Sequence, residues 1–289
     1  MPSARLTLLT AITMIAFAGN SLLCRLALTG TSIDAASFTT IRVASGAITL
    51  AVLVVLRRGD VRPGGNWISA MSLLAYAAAF SFAYVSLPTA TGALLLFGAV
   101  QATMIGYGWF VGERPNAMQV GGILLASAGL IALFLPGLHT PPLAGAVLMI
   151  GAGCSWGVYS LRGRGRGGAT RETAGNFLRA VPMALAISLV MWRSTTLDVR
   201  GVVLATLSGA LTSGVGYAIW YTVLPSLRAT TAATVQLSVP ALAALGAVAL
   251  LGEPISLRLA LSAGAVLGGV GLYILSKGGV VVTPSRPER

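Results

Sequence analysis

The residues of this chain best suited to holding a small solute carry no charge. Asn20, Tyr76, Gln101, Gln236 and Ser238 offer hydrogen bonds, while Phe17, Phe80, Phe97, Trp156 and Tyr217 offer ring faces. All ten stand inside long apolar runs, and counting along the runs puts them near mid-depth. Apolar walls with a few placed polar groups are what a small-solute pocket requires. Such a set suits a zwitterion with a large apolar side chain, because amides can bond both of its charges while its ring packs on the aromatic wall. Each polar side chain taken singly has a second reading, as a hydrogen bond between helices. The seven acids are Asp34, Asp60, Glu113, Glu172, Asp198, Glu253 and Glu288, all at the ends of apolar runs or between them. Proton relays of pumps use carboxylates within the spans, so proton coupling is not expected. An intramembrane hydrolase needs a base or a metal set, so no enzyme, metal or cofactor is expected. The single histidine, His139, lies in a proline-rich connection and reads as solvated.

The elements that position these residues must be membrane helices. Hydrophobic residues make up 56% and charged residues 9% of the chain, with mean hydropathy +0.86. Runs of roughly 20 apolar residues match a hydrocarbon core of ~30 Å. Backbone groups in lipid must be satisfied within the segment, so the runs are helices. Ten spans are predicted: 5–28, 34–57, 66–86, 88–111, 115–135, 141–161, 172–192, 201–223, 226–251 and 255–276. The fold class is all-α, the first run is retained as a span rather than cleaved, and a disordered tail follows at 279–289. The net charge of +12 lies mainly in short connections, so it carries topology rather than nucleic-acid binding. With the N-terminus inside, Arg5, Arg57, Arg58, Arg62, Arg114, Arg162, Arg164, Arg166, Arg171, Arg228, Lys277, Arg286 and Arg289 fall inside. Only Arg25, Arg193, Arg200 and Arg258 fall outside, so both termini are expected in the cytoplasm.

The chain also repeats. Leu87-Pro88 returns as Leu224-Pro225 and Gly112-Glu113 as Gly252-Glu253, each followed by a glycine-studded apolar run. Arg25 and Arg162, like Arg42 and Arg179, are 137 residues apart. The units are 1–137 and 138–278, five spans each. An odd number of spans makes the second unit enter from the opposite side, which is the inverted architecture of secondary transporters around a central cavity. Structural duplication without transport gives no obvious reason for the inversion.

Ten spans, Gly19-Asn20 in the first, basic residues after spans one and six, and Gly-Glu before a proline after spans four and nine resemble the drug/metabolite transporter superfamily. The narrower resemblance, over residues 5–276, is to its EamA family, nearest the YddG-type exporters of aromatic amino acids. The family often has Trp-Gly before that asparagine, where this chain has Phe17-Ala18-Gly19. The resemblance implies a multi-pass carrier of small organic solutes in a bacterial inner membrane. Together these readings give export of small amphipathic metabolites by alternating access, aromatic and other neutral amino acids first. Sugar or nucleotide-sugar carriage and broad drug efflux are alternatives within transport. A membrane assembly or lipid-handling protein is the alternative outside it. The partners expected are a small-molecule substrate and the bilayer, with no nucleic acid and a monomeric state.

Other residues have competing roles. Glu113 and Glu253 each follow one helix and precede a proline that can start the next, so they read as caps, with gating as the other role. Arg42 and Arg179 lie about eight residues into spans two and seven. They either snorkel to an interface or face a cavity and bind a carboxylate. Pro182 and Pro240 should kink spans seven and nine, and Pro88 and Pro225 mark the ends of span pairs that could rock, so these four are the hinge and gate candidates. Gly153-Gly157 and Gly264-Gly268 read as close helix contacts. Trp67, Tyr107, Trp109, Trp192, Trp220, Tyr221 and Tyr273 read as an interfacial aromatic belt. Cys24 and Cys154 read as packing residues without a disulfide.

Overall fold

A computed structural model describes residues 3–56, 64–112, 114–135, 140–163, 168–227 and 235–276. Glu113, His139, Arg164, Arg166 and the tail at 279–289 lie outside these residues. The described chain is helical, with no strand among the described residues. The helices are α1 (Ser3–Gly30), α2 (Ala35–Leu56), α3 (Trp67–Tyr84), α4 (Thr89–Phe110), α5 (Ala117–Phe134), α6 (Leu143–Gly163) and α7 (Ala169–Val190). They continue as α8 (Val199–Ser226), α9 (Ser238–Leu251) and α10 (Leu257–Ser276). All but α9 are long and apolar enough to cross a membrane. Large apolar side chains such as Leu8, Ile15, Ile48, Leu124 and Ile131 are exposed around the bundle, as lipid-facing residues of a spanning helix must be.

The helix ends are set by local chemistry. Asp34 accepts hydrogen bonds from the N–H groups of Ala36 and Ser37 and so caps α2. Asn66 caps α3 through Ser69, Asn116 and Gln119 form a capping box on α5, and Asp198 caps α8 through Gly201. These side chains satisfy amides that a helix leaves unpaired at its start. The repeated Gly-Glu has a conformational origin: Gly112 and Gly252 have φ of 95° and 65°, ending α4 and α9 in the left-handed region where glycine carries no penalty.

Two departures from the expected spans concern winding. Span nine was expected over 226–251, of which residues 228–234 lie outside the described residues; the last turn of α9, Ala247–Leu251, is π-wound. α8 carries a π-wound stretch, Ser208–Val215, between two α-helical stretches. π-wound segments have no pattern in apolar periodicity and recur at functional sites.

Successive helices alternate in direction, so one face of the bundle carries Pro88 and the other carries Pro225. α1 packs on α8 and α9, α2 on α7 and α8, and α6 on both α3 and α4. α4 is buried on every side from Thr89 to Gln101, which makes it the axis of the bundle. α5 and α10 form the most extensive helix pair and lie beside this core, touching it through α4.

The α5–α10 contact depends on glycines. A Cβ on Gly122 would stand 2.5 Å from the Gly269 carbonyl oxygen, and one on Gly269 would meet the Gly122 carbonyl and the Ala126 amide. The predicted Gly153-Gly157 contact is present, against Leu96, Ala99 and Thr103 of α4, whereas Gly264 and Gly268 face open space and Gly269 makes the contact instead. Gly122→Val should therefore force the pair apart at ~1–3 kcal/mol, the usual penalty of overpacking. The thermal midpoint of the purified protein should fall, while Gly121→Val, on the open side of the same turn, should leave it near wild type.

Candidate functional site

Seven of the ten predicted pocket residues line one cavity. Phe17 and Asn20 of α1, Tyr76 and Phe80 of α3, Phe97 of α4, Trp156 of α6 and Tyr217 of α8 converge with Ser21, Leu96 and Thr212 on a cavity of about 20 Å³, a water-sized space, so the rings stand closed on one another in this conformation. Trp156 is the hinge of the aromatic wall, with ring centroids 5.0 Å from Tyr76 and 5.1 Å from Tyr217. The wall continues through Phe17, edge-on to Tyr217 at 5.8 Å, and through Phe80, 5.5 Å from Tyr76. Rings from α1, α3, α6 and α8 thus meet, although counting along the spans put Trp156 and Tyr217 a little inward of the others.

Asn20 organises the polar side of this cavity. Its Nδ2 donates to the Tyr76 hydroxyl at 3.2 Å. Its Oδ1 accepts from Ser208 at 2.8 Å and from Thr212 at 3.2 Å, both in the π-wound stretch of α8. One amide therefore ties α1 to α3 and α8. Arg42 joins the same cluster: Nη2 donates to the Tyr76 hydroxyl at 2.9 Å, and the guanidinium lies 4.8 Å from the Phe80 ring centroid and 5.2 Å from that of Tyr76. Arg42 is only 2% exposed, so it does not snorkel. Arg179, at the repeat-related position, instead donates to the Gly64 and Gly175 carbonyls at the Pro225 face.

The other three predicted pocket residues are elsewhere. Gln101 is buried in α4 but does not line the cavity. Gln236 is half-buried just before α9, and Ser238 is exposed and donates to the Val235 carbonyl. Of the hinge candidates, Pro182 is exposed within α7, Pro240 is buried in α9, Pro88 is the N-cap residue of α4, and Pro225 sits in the 3-10 turn that ends α8. Two aromatics of the expected belt are corrected: Trp220 packs on Phe17 and is buried, as is Tyr273. Trp67, Tyr107, Trp109 and Trp192 are exposed. Ser21, Ser208 and Thr212 are the members of the cluster that depth counting missed.

The Pro88 face is closed over this cavity. Arg25 Nε donates to Glu253 Oε1 at 3.1 Å, and its Nη1 donates to the carbonyls of Tyr84 and Val85, where α3 ends. The other carboxylate oxygen, Glu253 Oε2, accepts from the Thr89 N–H at 2.7 Å. Glu253 therefore caps α4, across the bundle, rather than the helix that follows it. A second closure joins the α1–α2 and α7–α8 connections. Asp34 accepts from the Thr196 N–H, and Asp198 accepts from the Ser32 N–H, each at 2.9 Å. Hydrogen bonds from Ser37, Thr196 and Ala36 outweigh partial burial and hold the Asp34 carboxyl below its ordinary range. The bond from the Gly201 amide does the same for Asp198.

The Pro225 face is arranged differently. A polar cavity of about 20 Å³ lies there, lined by Ser69, Tyr159, Arg162, Gly163, Glu172, Thr173, Asn176 and Tyr221. Arg162 and Tyr221 occupy the positions of Arg25 and Tyr84 one repeat later. Where Arg25 holds a carboxylate, Arg162 donates to Ser69 at 3.3 Å and to Asn66 at 3.2 Å. Tyr159 stacks 5.4 Å from Trp156, so a single ring pair stands between the two cavities. A separate crevice of about 250 Å³ between α4 and the α5–α10 pair is apolar apart from Trp109, Ser127 and Tyr273.

Aromatic and amide side chains from α1, α3, α4, α6 and α8 thus meet at a small cavity within the bundle. Residues 143–275 match the model of the EamA-like transporter family. It is 54% identical over 275 residues to an uncharacterised protein of Pseudomonas aeruginosa, covering 95% of this chain and 96% of that one. A solved crystal structure of a protein shares the fold with a TM-score of 0.63, at 18% identity, over 92% of this chain and 99% of that one.

Proposed function

We propose that this protein exports small amphipathic metabolites, aromatic and other neutral amino acids first among them, across a bacterial inner membrane by alternating access. The observation that carries the substrate class is the cavity wall: contiguous rings of Phe17, Tyr76, Phe80, Trp156 and Tyr217 beside the amide of Asn20. The working units are the inverted halves 1–137 and 138–278, with both termini in the cytoplasm and the Pro88 face outward. The repeat-related pairs Arg25/Tyr84 and Arg162/Tyr221 support exchange of roles between the faces, since one pair is sealed and the other borders a cavity. Rocking of α3–α4 about Pro88 and α8–α9 about Pro225 moves the closures.

The test is an uptake and efflux panel in proteoliposomes over amino acids, sugars and lipophilic cations. Saturable flux of phenylalanine, tyrosine or tryptophan is expected. Preferential flux of sugars or cations would replace the substrate class, and absence of any flux would remove the carrier reading. No acid lines the cavity, so collapsing the pH gradient should leave initial flux within about a factor of two, under ~0.5 kcal/mol. A tenfold loss would implicate Glu113 or Glu253 in coupling.

A further inference from the structure

We propose that Arg42 anchors an anionic group of the transported solute, so that the cavity selects amphiphiles bearing a single carboxylate. This rests on the cavity's being a solute site. Arginine is charged at every accessible pH, and an unpaired buried charge is strongly unfavourable. Yet Arg42 is 2% exposed, and no carboxylate faces it among the described residues. The ionisable groups around it are Tyr76, Tyr217 and Cys24, all neutral in their ordinary state. Its Nη1 is buried and has no hydrogen-bond partner, while Nη2 is bonded to Tyr76.

The rings beneath the guanidinium recover part of the desolvation penalty by cation–π attraction, but they supply no counter-charge. Those same rings, Tyr76 and Phe80, are walls of the cavity. The cation therefore stands one hydrogen bond from the solute space, with a free donor in reserve. A carboxylate displacing the Tyr76 hydroxyl from Nη2 would meet both terminal nitrogens in the paired geometry that guanidinium favours. Asn20 Nδ2, which already donates to the same hydroxyl, would supply a third donor. A single guanidinium balances one negative charge, which points to a monocarboxylate rather than a phosphate ester. The aromatic wall then takes the rest of the solute, with or without an ammonium group.

The repeat-related Arg179 shows that this placement is not forced by the fold. It is half-buried and spends its donors on backbone carbonyls at the Pro225 face.

The experiment compares tryptophan, indole-3-propionate, tryptophanamide and tryptamine. Binding is read as thermal stabilisation of the purified wild-type protein, and transport as competition against labelled tryptophan in proteoliposomes. The two carboxylates should bind at least tenfold better than the amide and the amine, about 1.4 kcal/mol. Arg42→Met should abolish that preference, bringing the ratio to near one. It should also leave the thermal midpoint unchanged or raised, since it removes a buried unpaired charge; a purely structural clamp would give a lower midpoint. Arg42→Lys should keep part of the preference. If Arg42→Met does not fold, the wild-type binding panel decides alone. Equal binding of acid and amide, no stabilisation by any carboxylate, or an acid preference retained in Arg42→Met would overturn the assignment. Flux without acid preference would sink this inference and leave the carrier standing. Acid-selective binding without flux would do the reverse.

Discussion

Asn20→Ala should lower tryptophan efflux at least tenfold while the protein still purifies as a folded species. The amide makes three side-chain bonds between helices: to Tyr76 of α3 and to Ser208 and Thr212 of α8. Interhelical bonds in membranes average ~0.6 kcal/mol, so losing three costs about 2 kcal/mol of stability, well short of unfolding a ten-helix bundle. The transport effect should be larger relative to its size. Tyr76 then loses its bond from Asn20, and the hydroxyls of the π-wound stretch lose their common acceptor on the cavity wall. A tenfold loss corresponds to ~1.4 kcal/mol in the barrier. Initial efflux rates and thermal midpoints, measured on the same preparations, separate the two effects. Normal flux with a lowered midpoint would reduce Asn20 to a bond between helices.

The second large effect concerns the closure at the Pro88 face. Glu253→Gln should weaken it, and so should Arg25→Gln. The double exchange Arg25→Glu with Glu253→Arg should be worse than either single change, although it restores an ion pair. The reason is the direction of the helices. Arg25 bonds the carbonyls at the end of α3, and Glu253 bonds an amide at the start of α4. A cation suits the first and an anion the second, each by ~0.3–1 kcal/mol near the surface and up to ~2 when partly buried. Both side chains are 17% exposed, so these interactions are only partly screened. The exchange sets both charges against the helix ends. Reactivity of a cysteine placed at Ser21, in the cavity wall, toward a small charged reagent reports the closure. Added from the Pro88 side, the reagent should react fastest in the double exchange, at an intermediate rate in the single variants and slowest in the parent. Recovery of the parent rate by the exchange would mean that only the mutual attraction of the two charges matters.

The aromatic wall was legible in the sequence because residue count along a spanning helix fixes depth, and rings at equal depth on core helices must meet. What counting cannot fix is rotation about the helix axis. Gln101 has the right depth, and burial to match, but points away from the cavity from α4. Gln236 and Ser238 also miss the cavity: Gln236 is half-buried just before α9, and the Ser238 hydroxyl bonds the Val235 carbonyl. Trp220 and Tyr273 carry the usual signature of interfacial residues but turn inward, again a matter of rotation. Arg42 was open between two roles because its distance from the helix end allows snorkelling. Only the rings of α3 stacked against it decide the matter. Glu253 was legible as a cap but not for α4, since that contact joins residues 164 apart in sequence. Ser208 and Thr212 gave no sequence signal, because hydroxyls in apolar helices are common and a π-wound turn leaves no pattern.

Alternating access by a carrier has one direct signature, counterflow. Proteoliposomes loaded with unlabelled tryptophan are diluted into a trace of labelled tryptophan, and internal label is followed with time. A transient accumulation above equilibrium is expected, because solute leaving through a site exposed to one side at a time drives labelled solute in. Label that only equilibrates, without the overshoot, or that does not enter at all with tryptophan or any other panel solute, would contradict the account.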